Sequence, residues 1–266
     1  MMSKEASILR FDGVSKIFTS GLIKVSKTTA VNDVSFEIKE GEILSLVGES
    51  GSGKSTIANM ILRIIKPNLG QIYINDQEIE KIPINDYYKQ VQMVFQDPFS
   101  SFNYFYKVDR VLHQAVNFHY GKKISDTERT KHIHNALKLV SLNPEEVLGR
   151  YPHQLSGGQL QRFLLARILI IEPSVLIADE PTSMVDACAR AEILNLLKRL
   201  RKEINISIIF ITHDIGQAQF ISDRVIVMEN GLLVEQGPTK KVFLDPQHRY
   251  TQNLLASVPS LYRKWN

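Results

Sequence analysis

The chain of 266 residues has one cysteine, Cys188, which excludes an internal disulfide and any site built from several cysteines, such as an iron–sulfur cluster. A reducing compartment suits it. Long apolar runs are also missing. Nothing approaches the roughly 18 uninterrupted apolar residues of a membrane-spanning helix, and the closest stretch, residues 163–171, is broken by Arg167. The opening MMSKEASILRF lacks the apolar centre of a secretion signal. These absences predict a soluble chain that reaches a membrane only by docking on a partner. Like charges are not concentrated either: 32 Lys and Arg are interspersed with 28 Asp and Glu for a net charge of +4. That pattern suits a solvated surface and gives no expectation of nucleic-acid binding, which gathers basic residues on one face or arm. With 44% hydrophobic and 23% charged residues, the composition fits one large globular domain or a core with a subdomain.

Against this background stands GESGSGKS at residues 48–55, which matches G-x-x-x-x-G-K-[ST] at Gly48, Gly53, Lys54 and Ser55. The glycines let the backbone wrap a polyphosphate with its N–H groups pointing inward, and the following helix presents its positive end there. Lys54 then meets the β- and γ-phosphates. The Ser55 hydroxyl supplies a hard oxygen for Mg²⁺, with Thr56 in support. A Gly/Ser turn with a chance lysine is the bland alternative. It is disfavoured by context, because an apolar strand-like run (residues 42–47) precedes the loop and a helical pattern (57–62) follows it.

Residues 8–18 and 30–38 alternate apolar and polar side chains as half-buried strands do, with 19–29 expected as a polar loop. Phe18 is either a core aromatic or a platform for a nucleotide base. Residues 66–70 read as a turn, 71–75 as a strand, and 91–95 as a short strand delivering Gln96. After Gln96 comes a Pro/Ser/aromatic segment, then helical stretches such as 129–142, interrupted at Asn143-Pro144. LSGGQ at 155–159 opens an apolar-faced helix (160–171), and Ser156, Gly157 and Gly158 present amides suited to an anion. VLIA at 175–178 is a buried strand ending in Asp179-Glu180, where α/β sheets present ligand-binding groups; turn carboxylates are the alternative. A helix is expected over 189–202, a strand over 206–211, and His213 beyond it, at the same kind of strand edge.

GESGSGKS, Gln96, LSGGQ, VLIADE and His213, in this order, resemble the ATP-binding cassette ATPases over roughly residues 8–240. VGESGSGKST, MVFQDPFSSFN, YPHQLSGGQLQR and DEPTSMVDACARAEILNLL are similar to the ATPase subunits of oligopeptide, dipeptide and nickel importers, and QGPTKKVFLDPQHRYTQNLLASVPSL resembles the C-terminal extension of that branch. Arg249 stands where those proteins usually have proline. Ser183-Met184-Val185-Asp186 replaces the usual SALD, and Asn103-Tyr104-Phe105 replaces Asn-Pro-Arg. The Met-Val form looks like members that also import sugars.

The resemblance implies an α/β phosphate-loop core with an antiparallel β subdomain and a helical subdomain inserted at about 97–165, all within a cassette of residues 1–240, followed by an extension over 241–266. It implies ATP and Mg²⁺ as cofactors and uptake of oligopeptides, dipeptides or oligosaccharides through separate membrane subunits. Gly48, Glu49, Ser50, Gly51, Ser52, Gly53, Lys54, Ser55 and Thr56 would cradle the phosphates. Ser55 and Gln96 would ligate Mg²⁺, with Asp179 reaching it through water. Glu180 would be the general base, His213 would steady the γ-phosphate, and Lys54 would neutralise developing charge. Ser156, Gly157, Gly158 and Gln159 would close on the ATP of a second cassette, with Asp186 linking the two sites. The implied partners are that second ATPase, different or identical, two permeases and, indirectly, a solute-binding protein. Together they place the chain at the cytoplasmic face of the membrane. The aromatics Phe95, Phe99, Phe102, Tyr104, Phe105 and Tyr106 are either a subdomain core or a groove for a permease helix. The rival class, a soluble cassette ATPase of translation or DNA repair, usually brings a second cassette or long coiled coils, and neither is present.

Overall fold

The structure is a computed structural model and describes residues 7–20 and 26–257. Along the chain, the strands are β1 (Ser7–Ser20), β2 (Ser26–Lys39), β3 (Ile43–Val47), β4 (Leu69–Ile74), β5 (Gln77–Glu78), β6 (Val91–Val94), β7 (Val175–Asp179), β8 (Ser207–Thr212), β9 (Arg224–Glu229) and β10 (Leu232–Pro238). The helices are α1 (Lys54–Ile61), α2 (Ile84–Gln90), α3 (Asp109–Tyr120), α4 (Asp126–Leu139), α5 (Pro144–Val147), α6 (Gly157–Leu169), α7 (Ala187–Ile204), α8 (Ile215–Ile221), α9 (Thr239–Leu244) and α10 (Arg249–Ala256). They form two compact units, one of residues 1–82 with 207–266 and one of residues 83–206.

The first unit holds an antiparallel sheet in the order β2-β1-β4-β5 and a run of strands in the order β10-β9-β3-β8. In β2, Val34, Phe36 and Ile38 alternate inward, the period of a half-buried strand, and Phe36 stacks on Phe11 of β1 with ring centroids 4.5 Å apart. β1 breaks its alternation at register shifts, so neighbours such as Ile8 and Leu9 are both buried. The polar loop expected over 19–29 is corrected: the ladder continues through Phe18↔Thr28 and Thr19↔Lys27 to Ser20↔Ser26. Its Thr and Ser residues form ladder bonds as well as any strand former, and polarity alone did not mark a loop. Residues 21–25 of that stretch lie outside the described residues.

β3 runs parallel to both β8 and β9, and all five of its residues are buried. A continuous apolar run is what a parallel strand covered on both faces requires. Beside it, Val47, Ile215, Ala218, Val225, Val227, Val242 and Phe243 form a core against which Tyr250, Leu254 and Leu255 of α10 pack.

In the second unit β6 lies parallel to β7, and α6 packs against β6, α3, α4 and α7. Helix starts follow side-chain chemistry. Ser125 and Glu128 form a capping box for α4, and Asp186 accepts from the Ala189 N–H at the start of α7. Asn143-Pro144 separates two helices as expected, and also begins the second: Asn143 caps α5 and Pro144 fills its first turn, where a missing N–H does no harm. α4 ends at Leu139, short of the expected 142, with Ser141 in the left-handed region (φ 57°). Among the described residues no helix is long and apolar enough to cross a membrane.

Candidate functional site

The phosphate-loop segment leaves β3 at Gly48 and enters α1 at Lys54. Two of its glycines are required by close approach and by backbone angle. A Cβ on Gly48 (φ 150°) would stand 2.2 Å from the Met228 carbonyl oxygen, and one on Gly53 (φ 106°) 2.5 Å from that of Ala30. Lys54 is only 6% exposed, and its ammonium donates to the carbonyl oxygens of Gly48 (2.8 Å) and Glu49 (2.7 Å) and to the Ser52 hydroxyl (3.1 Å). The cation is thus gathered at the mouth of the loop. α1 has no side-chain cap and no acidic residue in its first turn, so its positive end is not neutralised from within the helix. Ser55 is exposed and Thr56 half-buried in that turn.

Two contacts from distant parts of the first unit hold the loop from outside. The Gly231 N–H, in the turn between β9 and β10, donates to the Ser52 carbonyl (3.1 Å). The Tyr250 hydroxyl on α10 accepts from the Glu49 N–H (3.0 Å). Sequence reasoning missed both, since neither residue neighbours the loop along the chain. His213 is exposed one residue beyond Thr212, which pairs with Val47, so β8 carries the imidazole to the edge where the phosphate loop begins.

In the second unit the parallel register Val94↔Ala178 sets Gln96 level with the Asp179-Glu180 pair. Gln96 Nε2 donates to Glu180 Oε2 at 3.1 Å. Glu180 adopts φ 45°, a left-handed conformation uncommon for a non-glycine residue. The Ser183 N–H and hydroxyl both donate to its carbonyl, at 3.1 and 3.0 Å, and hold the turn that aims it. Strained residues of this kind concentrate at working sites.

LSGGQ opens α6 with a complete capping box: the Ser156 hydroxyl accepts from the Gln159 N–H (3.2 Å), and the Gln159 side chain accepts from the Ser156 N–H (2.9 Å). A Cβ on Gly157 would meet the Met184 carbonyl at 3.0 Å, and one on Gly158 the Ala189 side chain at 2.8 Å. Gly157 therefore admits the 182–186 turn, and Gly158 the first turn of α7, against the start of α6; Asp186 caps α7. Phe18 is 42% exposed, which removes the core alternative, and Lys16 Nζ lies 5.4 Å from its ring centroid. The aromatic segment divides. Phe102 is buried edge-on against Phe163 (6.1 Å), whereas Phe95, Tyr104, Phe105 and Tyr106 are exposed, Phe105 to 89%.

Residues 31–183 match the family model described as ABC transporter. The chain belongs to the ABC transporter ATPase family. The ABC chain is 39% identical over 262 residues to the oligopeptide transport ATP-binding protein OppF of Streptococcus mutans, covering 97% of this chain and 84% of that protein. It is 40% identical to AppF of Bacillus subtilis, also an oligopeptide transport ATP-binding protein, covering 97% of this chain and 80% of the relative. Residues 234–266 match a second family model, described as the oligopeptide/dipeptide transporter C-terminal region. Among solved structures, the ABC transporter component cbiO1 of Clostridium perfringens superposes with a TM-score of 0.78 at 33% identity over 91% of this chain and 92% of that one. The ATP-binding cassette MJ0796, solved as a dimer bound to ADP and Pi, superposes with a TM-score of 0.76 at 31% identity, over 87% and 98%. The expected fold, a phosphate-loop α/β core with an antiparallel β subdomain and an inserted helical part, is borne out, and the chain is an ATP-hydrolysing enzyme.

Proposed function

We propose that this ABC ATPase powers an importer of oligopeptides, binding ATP at residues 48–56 and coupling its hydrolysis to separate membrane subunits. The observation that carries the reading is the joint match of the cassette and of residues 234–266 to the peptide-transporter C-terminal region.

Within the site, the amides of the loop and of the first turn of α1 receive the phosphates, and Phe18 stacks on the base. Mg²⁺, when bound, neutralises β- and γ-phosphate charge. The donors fit it, being hard oxygens: the Ser55 hydroxyl, the carbonyl end of Gln96, whose nitrogen end faces Glu180, and Asp179 through water. Glu180, oriented by Gln96 and by its own strained backbone, takes the proton of the attacking water as that water bonds to the γ-phosphorus. The bond to the β,γ-bridging oxygen breaks, and Lys54 neutralises the charge that collects there. His213 steadies the γ-phosphate. Ser156, Gly157, Gly158 and Gln159 close on the ATP of a second cassette, related but not identical, and Asp186 links the two sites. The assembly sits at the cytoplasmic face of the membrane.

The permease contact in this reading is the groove of about 240 Å³ lined by Ser101, Phe102, Asn103, Tyr106, Lys107 and Arg110, with Tyr104 and Phe105 exposed beside it. Exposed aromatics beside a groove are what a docking helix uses for anchorage. The test is reconstitution in proteoliposomes with the permeases and solute-binding protein of the same importer. Oligopeptide-loaded binding protein is expected to stimulate ATPase. Stimulation by an oligosaccharide or nickel instead overturns the substrate assignment. In the same assay Tyr104→Ser should lose most of the stimulation without changing the melting temperature, while Phe102→Ala should unfold earlier, since emptying a buried aromatic site costs about 3–5 kcal/mol.

A further inference from the structure

The C-terminal helix α10 carries Tyr250, half-buried, with its ring packed beside the core of the first unit and its hydroxyl accepting from the Glu49 N–H of the phosphate-loop segment at 3.0 Å. The helix is well anchored for this. Glu235 of β10 accepts from the N–H groups of Gln247 (2.9 Å) and His248 (3.1 Å), and His248 Nδ1 accepts from the Tyr250 N–H (3.2 Å), capping the helix at its first turn. Leu254 and Leu255, one turn further on, pack on the same core. Burial pushes the Tyr250 phenol above the usual tyrosine range; the bond from the Glu49 N–H works against that rise, while the charges of Glu49 and Glu229 add to it.

The loop is held from outside at two points. Gly231 takes the Ser52 carbonyl, and its own carbonyl accepts from the Asn32 N–H (2.8 Å). Tyr250 takes the Glu49 N–H, at the opposite end of the same loop. Glu49 also offers its carbonyl to Lys54. One peptide neighbourhood therefore carries both the external tether and the lysine contact. A loop that must present its amides in a fixed arc gains affinity when its conformation is set beforehand, since ordering it then costs nothing at binding.

We propose that Tyr250 is a positioning residue for nucleotide binding, so that the C-terminal segment braces the phosphate loop from behind. This rests on the reading of residues 48–56 as the phosphate site. The brace acts through Glu49 and touches no substrate, so it sets ATP affinity and leaves the chemical step to Lys54 and Glu180.

The test is Tyr250→Phe in the full chain, which removes the hydroxyl and keeps the ring. Two measurements are made: amide hydrogen exchange of a peptide spanning residues 48–55 without nucleotide, and affinity for a fluorescent ATP analogue with the KM and kcat of hydrolysis. Loss of one hydrogen bond predicts about three- to tenfold weaker binding and a matching rise in KM, with kcat within about twofold and faster exchange at the loop. A merely structural role would instead lower the melting temperature and the active fraction, leaving KM unchanged. Unaltered loop exchange in the variant, or unaltered affinity beside a wild type that binds, overturns the brace. A wild type that binds no ATP overturns the function proposed above, and the exchange measurement still decides the brace on its own.

Discussion

Two glycine-rich segments open helices in this protein, and they are built in opposite ways. α1 follows Gly53, which has no side chain to offer, and its first turn holds no acidic residue. α6 follows Ser156, whose hydroxyl takes the Gln159 N–H while the Gln159 side chain takes the Ser156 N–H. The first start is left electropositive and is framed by a buried lysine; the second is satisfied by its own residues. A helix start without a cap forgoes about 1 kcal/mol that a serine or aspartate would supply, and it makes sense where an anion does the capping. A self-capped start is rigid and complete, and suits a surface presented to something that arrives later. The contrast suits the proposed function, with primary ATP binding at the phosphate loop and a secondary, closing role for LSGGQ.

The hardest blow to this comparison falls on the α1 side. Lys54→Ala removes the only side-chain cation of the loop segment. We expect ATP hydrolysis to fall below detection, with circular dichroism and melting temperature close to wild type, because the ammonium's bonds within the loop are to two carbonyls and one hydroxyl of the loop itself. Ordinary turnover in this variant would mean that the uncapped helix start binds phosphate without its lysine, or does not bind it at all.

Next in size is Glu180→Gln, which keeps the side-chain shape beside Gln96 but cannot accept the water's proton. Turnover should drop by about 10² to 10⁴, with nucleotide binding retained. The trapped chain also probes the closing role of LSGGQ. On addition of ATP, sedimentation should show strong dimerisation when the related cassette protein is added and weak dimerisation alone. A tight dimer of the single chain, indifferent to the partner, would replace the heterodimer by a homodimer. Half of wild-type turnover would assign the base elsewhere.

Most of this was legible in the sequence for a physical reason: chemistry at the loop and at the strand ends is carried by short segments whose geometry is local. Gly48 and Gly53 are fixed by close approach of backbone, and Gln96, Asp179 and Glu180 by two parallel strands in register. The ladder joining residues 18–20 to 26–28 was misread because threonine and serine look like loop residues until a ladder partner is present. Phe102 and Tyr104 are two residues apart with opposite fates, one against Phe163 and one in solvent, which only packing decides. The bracing by Tyr250 and Gly231 joins positions about 180 to 200 residues apart, and nothing in either local pattern points to the other.

The smallest and most discriminating change is at Ser156. If its hydroxyl only caps α6, Ser156→Ala costs about 1 kcal/mol of stability, and the folded fraction hydrolyses ATP normally. If the start of α6 also meets the γ-phosphate of a second cassette, the charge of the capping group matters. Ser156→Asp should keep the melting temperature near wild type, since aspartate caps as well as serine does. It should nevertheless suppress both ATP-driven dimerisation and hydrolysis, because a carboxylate would then face a polyphosphate across the interface, a like-charge juxtaposition that costs several kcal/mol. Measuring melting temperature, dimer fraction and ATPase on the same two variants separates the roles. Should Ser156→Asp hydrolyse ATP as fast as wild type, LSGGQ would be a helix cap alone, and the second cassette would have to close on the nucleotide through other residues.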